Sequence, residues 1–107
     1  MFVYNVSIKL SKSIVQDWLI WMQKEHMQEV LATNMFERAK LFQLVEPAEE
    51  EEAVTYVVQY FTMDKRKYEH YLEEYAPILR DKGFAKFGNQ FIAFRSLLEE
   101  VNAVECL

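Results

Sequence analysis

The sequence predicts an α+β fold, one antiparallel sheet of four strands with two helices against one of its faces. Two patterns carry that prediction. Several segments alternate apolar and polar residues with the period of a strand, and two others carry apolar residues at the three- and four-residue spacing of a helix. With only two glycines and two prolines in 107 residues, the connections between them are short.

The first segment, MFVYNVSIKL, is a half-buried strand. Phe2, Tyr4, Val6, Ile8 and Leu10 share one face, and Asn5, Ser7 and Lys9 point the other way. SKS stops it. Ser13 with Gln16 fits a capping box that opens a helix running to about Val30, and Asn34 tolerates the left-handed turn that closes one.

FERAKLFQLV reads as a second strand with weaker alternation. It ends at EPAEEEEA, where Pro47 and the run Glu49, Glu50, Glu51 and Glu52 predict a solvated hairpin loop, because adjacent like charges need water. A role for the run in binding a cation or a basic partner is the less economical reading. AVTYVVQYFT follows, β-branched and aromatic, as the strongest strand in the chain.

Asp64 is placed to cap a second helix, whose buried stripe is Tyr68, Tyr71, Leu72 and Tyr75. Pro77 disfavours helical geometry at Ala76, so the helix should break there and restart as a short second piece. Gly83 and Gly88 mark the exit, and NQFIAFRSLLEEV forms the last strand. The order β-α-β-β-α-β is that of a ferredoxin-like domain, here a single unit over residues 1–107.

The sheet's second face then becomes informative. With Tyr4, Val6, Ile8, Tyr56, Val58 and Tyr60 turned to the helices, the other face carries Val3, Asn5, Ser7, Val57, Gln59 and Phe61. The last strand is expected to add Phe91, Arg95 and Leu97 to it. Such a face is too apolar for open water, and a second copy of the chain is the simplest cover. A homodimer joined through the helix-free sheet face is therefore expected.

Composition excludes several functions. Twelve basic against seventeen acidic residues leave a net charge of −5, which repels phosphate backbones and argues against nucleic acid as a partner. No apolar run reaches the ~20 residues of a membrane span, and the N-terminus lacks a signal peptide's layout, so a cytoplasmic protein without a membrane partner is expected. Cys106, the one cysteine, can form neither an internal disulfide nor a Cys-rich metal pattern.

The densest cluster of interesting side chains is WLIWMQKEHMQEVLATN. Trp18, Met22 and His26, spaced four apart, should stack along one side of the first helix with Trp21 on the flank. For Trp18 and Met22, core packing is the economical reading. His26, between Glu25 and Glu29, could also titrate usefully.

Trp18-x-x-Trp21-Met22-x-x-x-His26 followed by Val30-Leu31-Ala32-Thr33 resembles an uncharacterised bacterial group, domain-of-unknown-function family 4286. The likeness continues through Gln59-Tyr60-Phe61, Tyr71-Leu72, Ala76-Pro77-x-Leu79-Arg80, Phe87-Gly88 and Phe91-x-Ala93-Phe94-Arg95, nearly the whole chain. Met27-Gln28 stands where the family has a proline, and Asn34 where a glycine is usual, so only the helix end differs. The resemblance implies a dimeric ferredoxin-like α/β barrel and no assigned activity.

Two His-x-x-Glu pairs, His26 with Glu29 and His70 with Glu73, match no metal signature, and no metal is expected. No serine has the context of a nucleophile, neither glycine sits in a phosphate loop, and no cofactor is expected. Two functional readings remain. One is a non-catalytic assembly or binding module holding a small-molecule ligand, with Asn5, Trp21, Arg38, Gln59 and Arg95 as ligand-binding candidates. The other is a small monooxygenase- or isomerase-like enzyme, with His26 as acid or base and Arg38 or Arg95 holding an anionic oxygen. The geometry of His26 separates them. An enzyme needs a cleft where His26 meets at least one arginine, whereas in a pure assembly module those side chains are paired off in packing or salt bridges.

Overall fold

The computed structural model describes residues 1–107 and contains one four-stranded antiparallel sheet. Strand β1 (Phe2–Ser11) lies between β3 (Ala53–Thr62) and β4 (Phe91–Glu99), and β2 (Arg38–Gln43) pairs with the outer side of β3. The spatial order β2-β3-β1-β4 is the ferredoxin-like arrangement that the element order predicts.

Register fixes which residues share a face, because partners across a ladder point the same way. On the helix side, Tyr4 is flanked by Tyr60 and Leu97, and Val6 by Val58 and Arg95. Ile8 lies between Tyr56 and Ala93, and Leu10 between Val54 and Phe91. The expected parity of the first and third strands is therefore observed, and that of the last strand is reversed. Phe91, Arg95 and Leu97 face the helices, and Ile92, Phe94, Ser96 and Leu98 occupy the open face. The last strand is apolar on both faces, so alternation there carried no information about which side is inward.

The chain from residue 15 to 32 is continuously helical but not uniform. It consists of α1 (Val15–Trp21), a π-helical segment (Met22–His26) and α2 (Met27–Ala32). The capping box expected at Ser13 does not form. A 3₁₀ turn, Lys12–Ile14, leads in with no side-chain cap. Neighbouring loops supply acceptors there, since the Ser11 and Lys12 N–H groups donate to the carbonyls of Gln90 and Glu52. Asn34 has φ 64°, the left-handed geometry expected of it.

Asp64 does cap α3 (Lys65–Glu74), accepting a hydrogen bond from the Arg66 backbone N–H at 2.9 Å. The break lies at Tyr75, and α4 (Ala76–Phe87) restarts with Pro77 in its first turn. At 12 residues α4 is longer than α3, not the short piece expected. Beyond Pro77 nothing stops it before Gly88, whose φ of 61° ends the helix. Gly83 continues it because its missing side chain makes room for Trp21. A Cβ there would lie 3.1 Å from the edge of the indole.

The core lies between helices and sheet. Trp18, Leu10, Val30 and Val58 are its largest fully buried apolar side chains, and Trp18 packs on Tyr56 with ring centroids 5.3 Å apart. The loop carrying Glu49–Glu52 is mostly exposed, as its charge requires. Glu49 nevertheless accepts from the Thr55 hydroxyl and lies 3.9 Å from the Lys9 ammonium, which anchors the loop beside the open sheet face. No helix is long and apolar enough to cross a membrane.

Candidate functional site

The site begins with the π-helical segment. Residues five apart on a regular helix lie about 140° apart around its axis. The wider turn at Met22–His26 brings Trp21 and His26 together instead, and their rings stack with centroids 4.7 Å apart and planes 22° from parallel. Trp18 and Met22 take the core positions expected of them. His26 leaves their stripe, lies half-buried on the indole and turns toward the sheet.

Two arginines meet it there. Arg95 comes from the helix side of β4, in the row of Val6 and Val58, and Arg80 from α4. His26, Arg80 and Arg95 together line two small adjoining cavities of about 40 and 60 Å³. The first is walled by Tyr4, Tyr60 and Tyr71, the second by Trp18, Trp21 and Phe91. Neither wall contains an acidic residue. The Arg80 guanidinium donates to the Tyr4 hydroxyl at 2.9 Å, and Tyr4 itself is 3 % exposed. Neither arginine has a carboxylate within 4 Å, so the ion pairs that would mark a purely structural role are missing.

Burial sets the protonation states. It pushes the His26 imidazolium down to about 4, with Glu29 opposing and Arg95 and Lys82 adding to the shift. Glu29 is engaged by the Lys82 ammonium at 2.7 Å, a link between α2 and α4. Burial raises the hydroxyls of Tyr60 and Tyr71 far above the usual phenol range, and both remain O–H donors. At neutral pH the cavity therefore presents two fixed positive charges, neutral O–H and imidazole groups, and no negative one.

The six residues singled out from sequence divide between the two sides of the sheet. Trp21, His26 and Arg95 form part of this cavity. Asn5, Gln59 and Arg38 lie on the open face, where the Gln59 amide donates to the Asn5 side-chain oxygen at 3.1 Å. The Arg38 guanidinium sits 4.7 Å from the centroid of the Phe61 ring, a cation–π contact. Sequence reasoning missed Tyr4, Tyr71 and Arg80 as site residues. The available signal was Ala76-Pro77-Ile78-Leu79-Arg80, since a proline-started helix with Leu79 buried also fixes where Arg80 points.

The open face is banded. Lys40, Gln59, Asn5 and Ser96 form a polar row across all four strands. On one side of it runs Arg38, Phe61, Val3 and Leu98, and on the other Phe42, Val57, Ser7 and Phe94. Phe42, Ile92, Phe94 and Leu98 are all about half exposed or more. Among the 107 residues no group of three or more His, Cys, Asp and Glu side chains is arranged to hold a metal ion.

Comparison with known proteins agrees with this architecture. An ethyl tert-butyl ether d (ethd) family protein from Bacillus halodurans superposes with a TM-score of 0.64 at 12% identity, covering 94% of this chain and 100% of that one. SnoaB, a cofactor-independent oxygenase from Streptomyces nogalater, gives 0.62 at 8% identity over 96% of each chain. A dimeric ferredoxin-like protein from an uncultured marine organism gives 0.64 at 16% identity, covering 99% of this chain and 100% of that one. At such identities the likeness establishes the shared fold alone. No curated protein matches the chain in sequence. One family model does match, over residues 1–101, and the chain belongs to that family, described as Domain of unknown function (DUF4286).

Proposed function

We propose that this protein is a non-catalytic, homodimeric module of the cytoplasm, residues 1–107 acting as one ferredoxin-like unit, that holds a small ligand between its sheet and helices. The observation that carries the ligand reading is the convergence of Arg80, Arg95 and His26 on a cavity without acidic groups, in a chain where acids outnumber bases by seventeen to twelve. Packing alone gives no reason to bring two like charges together there.

Support for pairing comes from the open face. Its two apolar rows leave Phe94 and Leu98 64 % and 48 % exposed, more than a lone monomer ordinarily leaves to water on one surface. The polar row between them gives a second copy a register to match. In this reading Asn5, Gln59 and Arg38 serve the interface, and Trp21, His26 and Arg95 serve the ligand. That some proteins of this fold are themselves described as dimeric agrees with it.

A monooxygenase- or isomerase-like reaction with His26 as acid or base is the second reading, favoured by the same convergence. Two quantities weigh against it. An imidazole held near 4 is a weak base, and at neutral pH it is the neutral form, a far weaker acid than the imidazolium. Cavities of about 40 and 60 Å³ are also small for a substrate and an oxidant together.

A thermal-shift screen of small metabolites on the wild type and His26→Ala tests the ligand reading. A ligand that stabilises the first and not the second supports it. Sedimentation of wild type and Phe94→Glu tests the pairing. A wild type that sediments as a monomer at micromolar concentration sinks it.

A further inference from the structure

We infer that the ligand held between Arg80 and Arg95 is a short organic carboxylate, its charged end at the guanidinium groups and its apolar tail among the aromatic walls. This rests on the ligand reading above and adds the chemical class.

The lining selects by charge first. Every ionised group in the two walls is an arginine, and the Tyr4, Tyr60 and Tyr71 hydroxyls can donate hydrogen bonds. Arg80 is already held by the Tyr4 oxygen at 2.9 Å, which orients its planar fork and leaves the tyrosine proton free for an acceptor. Glu29, the carboxylate beside His26, is occupied by Lys82 at 2.7 Å and does not fill the site from within. A cation would meet like charges and no counter-charge, and a neutral ligand would gain no charge-assisted contact from the two guanidinium groups.

Shape selects next. A water needs roughly 10–15 Å³ of such space, so cavities of about 40 and 60 Å³ hold roughly three to four and four to six water-sized groups. A carboxyl group with a tail of two or three carbons, five or six non-hydrogen atoms, matches the larger cavity and overfills the smaller. A benzoate ring exceeds the first and crowds the second. The remaining walls, Val6 and Val58 on one side and Trp18 and Phe91 on the other, offer a tail apolar surface. They offer a phosphate's remaining oxygens little, which separates the carboxylate from inorganic oxyanions.

Calorimetric titration with sodium acetate, propionate, butyrate, benzoate and phosphate at constant ionic strength tests the assignment on the full chain. Saturable binding is expected, tightest for propionate or butyrate and weaker for acetate and benzoate. Arg80→Gln and Arg95→Gln should each raise Kd by roughly tenfold or more, the loss expected for one charge-assisted contact. Both side chains are largely exposed, so the variants should fold, and Arg66→Gln on α3 serves as the unaffected control. Phosphate binding as tightly as butyrate overturns the carboxylate and leaves the pocket standing. So does a neutral or cationic ligand from the screen that depends on His26. No response to any carboxylate, together with no His26-dependent ligand at all, overturns both.

Discussion

His26 stacks on Trp21 with ring centroids 4.7 Å apart, although the two are five residues apart on one helix. The π-helical segment between them makes the contact, and its consequence is an imidazole with one face against an indole and its edge at a cavity. Several measurable properties trace to this arrangement.

His26 should titrate near 4 in the folded protein, followed by the imidazole proton resonances in an NMR pH series. Its pKa lies below the unfolded value of 6.5, so the unfolded state binds the proton first. The stabilising contribution is complete above about pH 6.5 and is lost as pH falls toward 4. In urea melts the slope should approach about 1.4 kcal/mol per pH unit in that window, and His26→Phe should abolish that share of it. A wild-type titration near 6.5 would show the ring to be solvated and the stack broken.

Gly83→Leu should destabilise by about 1–3 kcal/mol, because the space beside α4 is filled by Trp21, 3.1 Å from where a Cβ would start. Trp21 fluorescence should shift in the same variant. Gly83→Ala sets the same crowding against the better helix propensity of alanine, about 1 kcal/mol, and should come out near neutral. A Gly83→Leu protein as stable as wild type would mean the indole moves freely.

Gly88 and Asn34 close α4 and α2 with positive φ, 61° and 64°. Gly88→Ala should cost about 1 kcal/mol or more, since a Cβ has room there but the backbone conformation disfavours one. Asn34→Gly should be neutral or mildly stabilising, and Asn34→Val clearly destabilising. Thermal melts of the three variants order these outcomes, and a reversed order would contradict the cap geometry.

Asn5 and Gln59 hydrogen-bond at 3.1 Å in the polar row of the open face. If that row sets the register of two copies, replacing both by Leu should preserve self-association and give more than one associated species in sedimentation. A buried polar pair specifies an arrangement more than it strengthens one. A single well-defined dimer in the double variant would assign the register to the apolar rows.

The strands, their order and the inward faces of β1 and β3 were legible in the sequence, because a period of two against one buried side leaves a single workable register. The Asp64 cap, the break ahead of Pro77 and the left-handed Asn34 were legible for a similar reason, each being set within a few residues. The inward face of β4 was not. Phe91 through Leu98 are apolar on both sides, and only pairing with β1 decides that Arg95 looks toward the helices.

The candidate site was half legible. Trp21, His26 and Arg95 were singled out by residue type, and the family to which the chain belongs by its motifs. The sequence by itself thus determined the elements, the excess of acid and the greasy second face, all consequences of local periodicity and composition. Only the tertiary structure decided that Arg80, Arg95, Tyr4 and His26 share one cavity. They come from four distant stretches of chain. The π turn that aims His26 and the ladder that aims Arg95 depend on packing between those stretches, which no local pattern encodes.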